Sequence, residues 1–93
     1  MELYRLRVPK DVAELVRGLH PELKRKVWAG SDVIRGEPVS GKALRDELTG
    51  LRSFRVGPVR IIYRVATGRV IEVVAVGPRR TIYEETLRRL RRQ

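Results

Sequence analysis

Cysteine is missing from this 93-residue chain, which excludes disulfides and thiolate metal sites and fits a reducing compartment. Histidine occurs once, at His20, and no group of side chains has metal-ligand spacing, so neither a metal nor another cofactor is expected. No apolar run approaches the roughly 20 residues that cross a bilayer, and the opening Met-Glu-Leu-Tyr-Arg lacks the apolar stretch of a secretory signal. The expected compartment is the cytoplasm, with no membrane partner. Acidic residues are scarce too, 11 against 21 Lys plus Arg, which leaves a formal net charge of +10.

A field of that sign draws polyanions, so nucleic acid or an acidic protein heads the candidate partners. Of the 21 basic residues only Lys10, Lys24, Lys26 and Lys42 are lysines. The rest are arginines, whose planar guanidinium suits phosphate oxygens. The length fits one domain over residues 1–93 with a modest core, since a chain this size buries roughly 60–65% of its unfolded surface.

The coarse order is a strand, two helices, then three strands and a basic tail. Residues 2–8 alternate in character and read as a strand, and Pro9 suits the first turn of a helix. Val12, Leu15, Val16 and Leu19 recur at helical spacing; after His20-Pro21 the pattern resumes with Leu23, Val27 and Ile34, and Gly30 is expected to weaken this helix and end it early. His20, at the break, reads as a cap. Residues 36–43 are loop by composition, with Leu44 and Leu48 as its anchors.

From Gly50 onward, Phe54 and Val56 alternate with Arg55 up to a turn at Gly57-Pro58. Val59, Ile61, Tyr63 and Val65 then alternate with Arg60, Ile62 and Arg64. Tyr63 falls on the core side and is expected to be structural. Val70 to Val76 is almost continuously apolar, as in a central strand covered on both faces. Residues 79–92 read as a short helix or tail with six arginines, opened by Glu84 and Glu85 and with Arg88, Arg89, Arg91 and Arg92 in solvent. The fold class is α+β: an N-terminal strand and helical hairpin packed on an antiparallel sheet, with a short C-terminal helix. The sheet face away from the hairpin is left partly open, and Arg55, Arg60, Arg64 and the residues just past the last strand converge there.

Three segments carry a family pattern: Lys42-Ala-Leu44 ahead of Leu48-Thr-Gly50-Leu; Phe54-Arg-Val-Gly-Pro-Val-Arg60-Ile-Ile-Tyr63; and Val76-Gly-Pro-Arg79-Arg-Thr-Ile-Tyr83. In order and spacing the chain resembles the RelE/ParE superfamily of toxins from toxin–antitoxin pairs over nearly its whole length. The resemblance implies a small toxin neutralised by a cognate antitoxin, monomeric alone or joined with it in a hetero-oligomer. RelE-type members cut mRNA in the ribosomal A site; ParE-type members poison DNA gyrase on nearly the same fold.

On the RelE reading, Arg60 and Arg79 match the family's phosphate-stabilising arginines and Tyr83 matches a C-terminal tyrosine that orients substrate or stacks on a base. These three are the expected catalytic residues of a metal-independent endoribonuclease. Arg52, Arg55, Arg64 and Arg80 are the expected RNA contacts, with mRNA and ribosomal RNA as partners. The paired lysines of the second family strand are absent, and an arginine does not readily accept a proton. The alternatives are a ParE-like gyrase inhibitor and an inactive, basic RNA-binding member of the superfamily.

Overall fold

The computed structural model describes residues 3–92. Strand β1, Arg5–Arg7, leads to Pro9, which caps helix α1, Lys10–Arg17. Helix α2, Pro21–Gly36, follows, and His20 Nδ1 accepts the Glu22 amide hydrogen at 3.3 Å. The single histidine is thus a helix cap. Gly30 does not end α2, contrary to expectation. A Cβ there would stand 2.9 Å from Val56 Cγ2 and 3.1 Å from Phe54 Cε2, so its absence lets helix and sheet approach. That contact outweighs the roughly 1 kcal/mol propensity cost of a helical glycine.

Strands β2 (Lys42–Ala43), β3 (Arg52–Val56), β4 (Val59–Ala66) and β5 (Val70–Pro78) join β1 in a five-stranded sheet of order β1-β5-β4-β3-β2. Strands β2 to β5 pair antiparallel. Strand β1 adds a parallel edge beside β5, making the sheet mixed. The hydrophobic pattern selects that pairing: Leu6 packs against the hairpin-side core while Arg7 reaches Glu72 across the register at 2.9 Å.

Alternation along β4 sorts the core into two layers. Val59, Ile61 and Tyr63 meet Val12, Val16, Val27 and Ile34 of the hairpin, whereas Ile62 joins Leu51, Ala75 and Ile82 on the other side. A bulge holds this sorting together. Ile62 pairs with Ala75 but Tyr63 pairs with Val73, so Val74 is an extra residue in β5. Without it, the side chains of residues 71–73 would exchange faces, sending Glu72 toward the hairpin core instead of to Arg64.

Tyr63 is structural, as its alternation implies. It is fully buried, its hydroxyl donates to the Pro38 carbonyl at 2.7 Å, and the same oxygen accepts the Gly41 amide hydrogen at 2.9 Å. These bonds pin the 38–41 loop, which ends in β2 rather than running as loop through residue 43.

The second sheet face is less open than the sequence suggests. Helix α3, Arg79–Arg91, lies along it and buries Ile82 and Thr86, with Leu90 packed at the margin. Its first turn carries no acidic residue, so Glu84 and Glu85 do not open the helix. Nor are the terminal arginines all in solvent: Arg89 makes two hydrogen bonds to Asp11 of α1, and Arg91 lies 3.6 Å from Glu47. No helix among the described residues is long and apolar enough to cross a membrane.

The hydrogen bond from Arg89 holds the Asp11 carboxyl below the usual carboxylate range, and that from Arg64, seconded by Arg7, does the same for Glu72. A depressed carboxylate favours the fold above its unfolded-state titration and loses that contribution as pH falls through its folded value. Stability to urea is therefore expected to decline between about pH 5 and pH 2, and Asp11→Asn with Glu72→Gln should flatten part of the decline; an unchanged profile in the double variant would contradict these roles. Tyr63→Phe leaves a buried amide and carbonyl unpaired and should cost about 1–3 kcal/mol in the same denaturation experiment.

Candidate functional site

The open end of the second face is a groove of about 520 Å³ lined by Lys42, Ala43, Leu44, Arg45, Arg60, Arg79 and Tyr83. Three separate parts of the chain meet there. Strand β2 and the residues after it bring Lys42 and Arg45 to the sheet edge. Strand β4 brings Arg60, which faces α3 because it alternates with the hairpin-facing Val59 and Ile61. Helix α3 brings Arg79 and, one turn later on the same side, Tyr83.

The interior of the groove is hydrogen-bonded. Arg60 Nη1 donates to Ser53 Oγ at 3.2 Å, and Ser53 Oγ lies 3.2 Å from Tyr83 Oη. Ser53 itself is buried in β3, opposite Ile62 in the register. Arg60 Nε is buried without a hydrogen-bond partner among the described residues. A buried donor left unpaired on a half-buried guanidinium is costly, so an acceptor that reached it would gain what the protein leaves unsatisfied.

Helix α3 adds to that demand. Pro78 makes no side-chain cap, and the first turn holds Arg79 and Arg80 in place of acids. Unsatisfied amides, the positive end of the helix dipole and two guanidinium groups all favour an anion at this point. Among the described residues, four cationic side chains line the groove and no carboxylate does. Its charge suits an anionic ligand.

Of the residues singled out from the sequence, Arg60, Arg79 and Tyr83 are brought together. Arg52 is not among them, because its register partner is Tyr63 and it faces the hairpin side. There its guanidinium donates to the Gly41 carbonyl at 2.7 Å and helps fasten the loop. Arg64 shares the face of Arg60 but is ion-paired with Glu72. Arg55 is opposite Arg60 in the register and exposed, outside the groove lining; Arg80 is exposed on the first turn of α3 and likewise outside it.

Lys42, Arg45 and Ser53 escaped the sequence reading. Strand β2 is two residues long, too short for any periodic signal, so nothing placed Lys42 and Arg45 at the sheet edge. Ser53 did leave a sign. It is a polar residue in the strand-rich half, with its strand neighbour Phe54 packed on the hairpin-side core, and a buried hydroxyl implies partners.

Comparison with known proteins bears on the fold and the family. A family model described as the ParE toxin of the type II toxin–antitoxin system parDE matches residues 4–83. No curated protein gives a sequence match. Among solved structures, the toxin–antitoxin complex RelBE2 from Mycobacterium tuberculosis is similar at 27% identity and a TM-score of 0.74, over 84% of this chain and 100% of that one. The archaeal RelE–RelB complex from Pyrococcus horikoshii gives 28% identity and 0.70, over 84% and 97%. The free E. coli toxin RelE, in a mutant form, shares the fold at 19% identity and 0.76, over 96% and 99%. The chain belongs to the ParE toxin family of type II toxin–antitoxin systems, within the RelE/ParE superfamily.

A short single-stranded RNA used as an anionic probe should distinguish the two sheet faces. Arg60→Ala is expected to weaken its binding about tenfold and to lower the salt dependence by about one charge. Arg52→Ala should leave affinity unchanged while lowering the melting temperature. Equal losses of affinity in both variants, measured by fluorescence anisotropy across a salt series, would rule out the groove as the anion site.

Proposed function

We propose that the protein is a RelE-type toxin, a ribosome-dependent mRNA endoribonuclease restrained by a cognate antitoxin. The observation that carries this reading is the meeting of Arg60, Arg79 and Tyr83 with Lys42 and Arg45 in one groove without a carboxylate. Cleavage of RNA by its own 2′-hydroxyl needs the attacking oxygen in line with the leaving 5′ oxygen. It also gathers a second negative charge on the phosphoryl oxygens. Arginines from two different elements can hold those oxygens from two sides, and charge placed in advance where charge develops is the most effective form of catalysis.

Among the described residues no histidine or carboxylate lines the groove and Lys42 is its one amine; on this reading the 2′-hydroxyl proton leaves to solvent. That makes for a slow enzyme in isolation. A ribosome that presents the message in a fixed, strained geometry supplies the orientation that the groove does not, and the arginine-rich end of α3 offers charge for ribosomal RNA phosphates. Two solved relatives above 25% identity are toxin–antitoxin complexes, which supports an antitoxin as partner. Exposed Leu15, Trp28 and Val33 give a partner helix apolar surface on the hairpin. A toxin that acts on translating ribosomes would work in the cytoplasm.

A second reading has its own observation behind it. The matching family model is that of ParE, and a ParE-like toxin would bind gyrase without cutting nucleic acid. Induction of the wild-type chain should produce mRNA 5′ ends mapping within A-site codons, and Arg60→Ala with Arg79→Ala should abolish them. Cleavage that survives the double variant, or loss of gyrase supercoiling with intact messages, would refute the nuclease reading; the latter would favour ParE.

A further inference from the structure

Ser53 holds a place in β3 where the neighbouring core is aliphatic, and it is only 3% exposed. A hydroxyl buried there must be hydrogen-bonded or it destabilises the sheet. One of the two bonds it makes has a fixed direction. A guanidinium can only donate, so Ser53 Oγ accepts from Arg60 Nη1. The serine hydrogen then needs an acceptor of its own, and Tyr83 Oη stands 3.2 Å away. With its oxygen accepting from Ser53, the Tyr83 hydroxyl has its own hydrogen left over for the groove that Tyr83 lines with Arg60 and Arg79.

We propose that Ser53 is a positioning residue that turns the Tyr83 proton toward the groove, making Tyr83 the acid that protonates the leaving 5′ oxygen. This rests on the nuclease reading above and deepens it. In the reaction the 2′ oxygen attacks phosphorus and its proton passes to water. The bond from phosphorus to the 5′ oxygen breaks, and that oxygen takes the proton of Tyr83 Oη. The products are a 2′,3′-cyclic phosphate and a 5′-hydroxyl, and the tyrosinate regains a proton from solvent. While it is charged, the tyrosinate keeps the Ser53 hydrogen bond, which the permanent charge of Arg60 strengthens from behind. Arg60 therefore serves twice, facing the phosphate and backing the acid through Ser53.

The test compares two messages on programmed ribosomes: one all-oxygen, the other carrying sulfur in place of the bridging 5′ oxygen at the mapped cleavage position. A thiolate leaves without needing a proton, so loss of the acid should not slow that message. Ser53→Ala and Tyr83→Phe are each expected to cut the all-oxygen message about 100-fold more slowly and the sulfur message at close to the wild-type rate. Ser53→Thr, which keeps the hydroxyl, should restore most of the activity on the all-oxygen message. Tyr83→Phe removes a single oxygen at a half-buried position, so it stands as the second probe should Ser53→Ala fold poorly. Equal slowing of both messages by either variant would reduce the pair to packing and overturn the proposal, as would undiminished cleavage of the all-oxygen message. A wild-type protein that cuts neither message would instead remove the nuclease reading, and this proposal with it.

Discussion

Arg60 and Arg79 carry like charges into one groove, and the packing of α3 against the sheet keeps them there. Like charges brought into one groove repel. Burying one large aliphatic side chain returns about 1.5–3 kcal/mol, and the contact of Ile82 with Ile62 and Ala75, with Thr86, Leu90 and the Arg89–Asp11 pair adding to it, holds α3 in place. The site is thus a place where the fold spends stability to hold charge. The buried Arg60 Nε, without a hydrogen-bond partner among the described residues, and the cationic first turn of α3 both favour an acceptor of negative charge.

The bulge at Val74 is the backbone feature that makes this arrangement compatible with a closed core. It permits Val73 and Ile71 to face the hairpin while Ala75 and Glu72 face α3. Glu72 then pairs with both Arg7 and Arg64 at the far end of the sheet, which offsets one of the two charges there. The groove end has four cationic side chains and, among the described residues, no lining carboxylate, so positive charge is denser there.

Much of this was legible in the sequence. The alternation of Val59, Ile61 and Tyr63 with Arg60, Ile62 and Arg64 fixed which side of β4 builds the core, and the resemblance to the family pattern singled out Arg79 and Tyr83 beside Arg60. Other features depend on pairing between distant segments, which periodicity does not report. Arg52 looked like a phosphate contact, but its register with Tyr63 points it to the loop carbonyls. Gly30 looked like a helix stop because the close approach of Phe54 and Val56 is invisible to local propensity. Lys42 and Arg45 reach the groove only because a two-residue strand closes on β3. The parallel pairing of β1 and the cover that α3 lays over the second face are likewise tertiary facts.

A ParE family model and RelE structures meeting on one chain show that the scaffold does not choose the target. On the proposed reading the groove does, through the groups it presents to an anion. The central claim is that guanidinium groups from β4 and from the start of α3 grip the same phosphodiester. A crystal structure with a short RNA whose 2′-hydroxyl at the scissile position is blocked by methylation tests it directly. The account predicts one phosphate within about 3 Å of both Arg60 and Arg79, with Arg60 Nε now paired; RNA bound elsewhere, leaving that nitrogen without an acceptor, would contradict it.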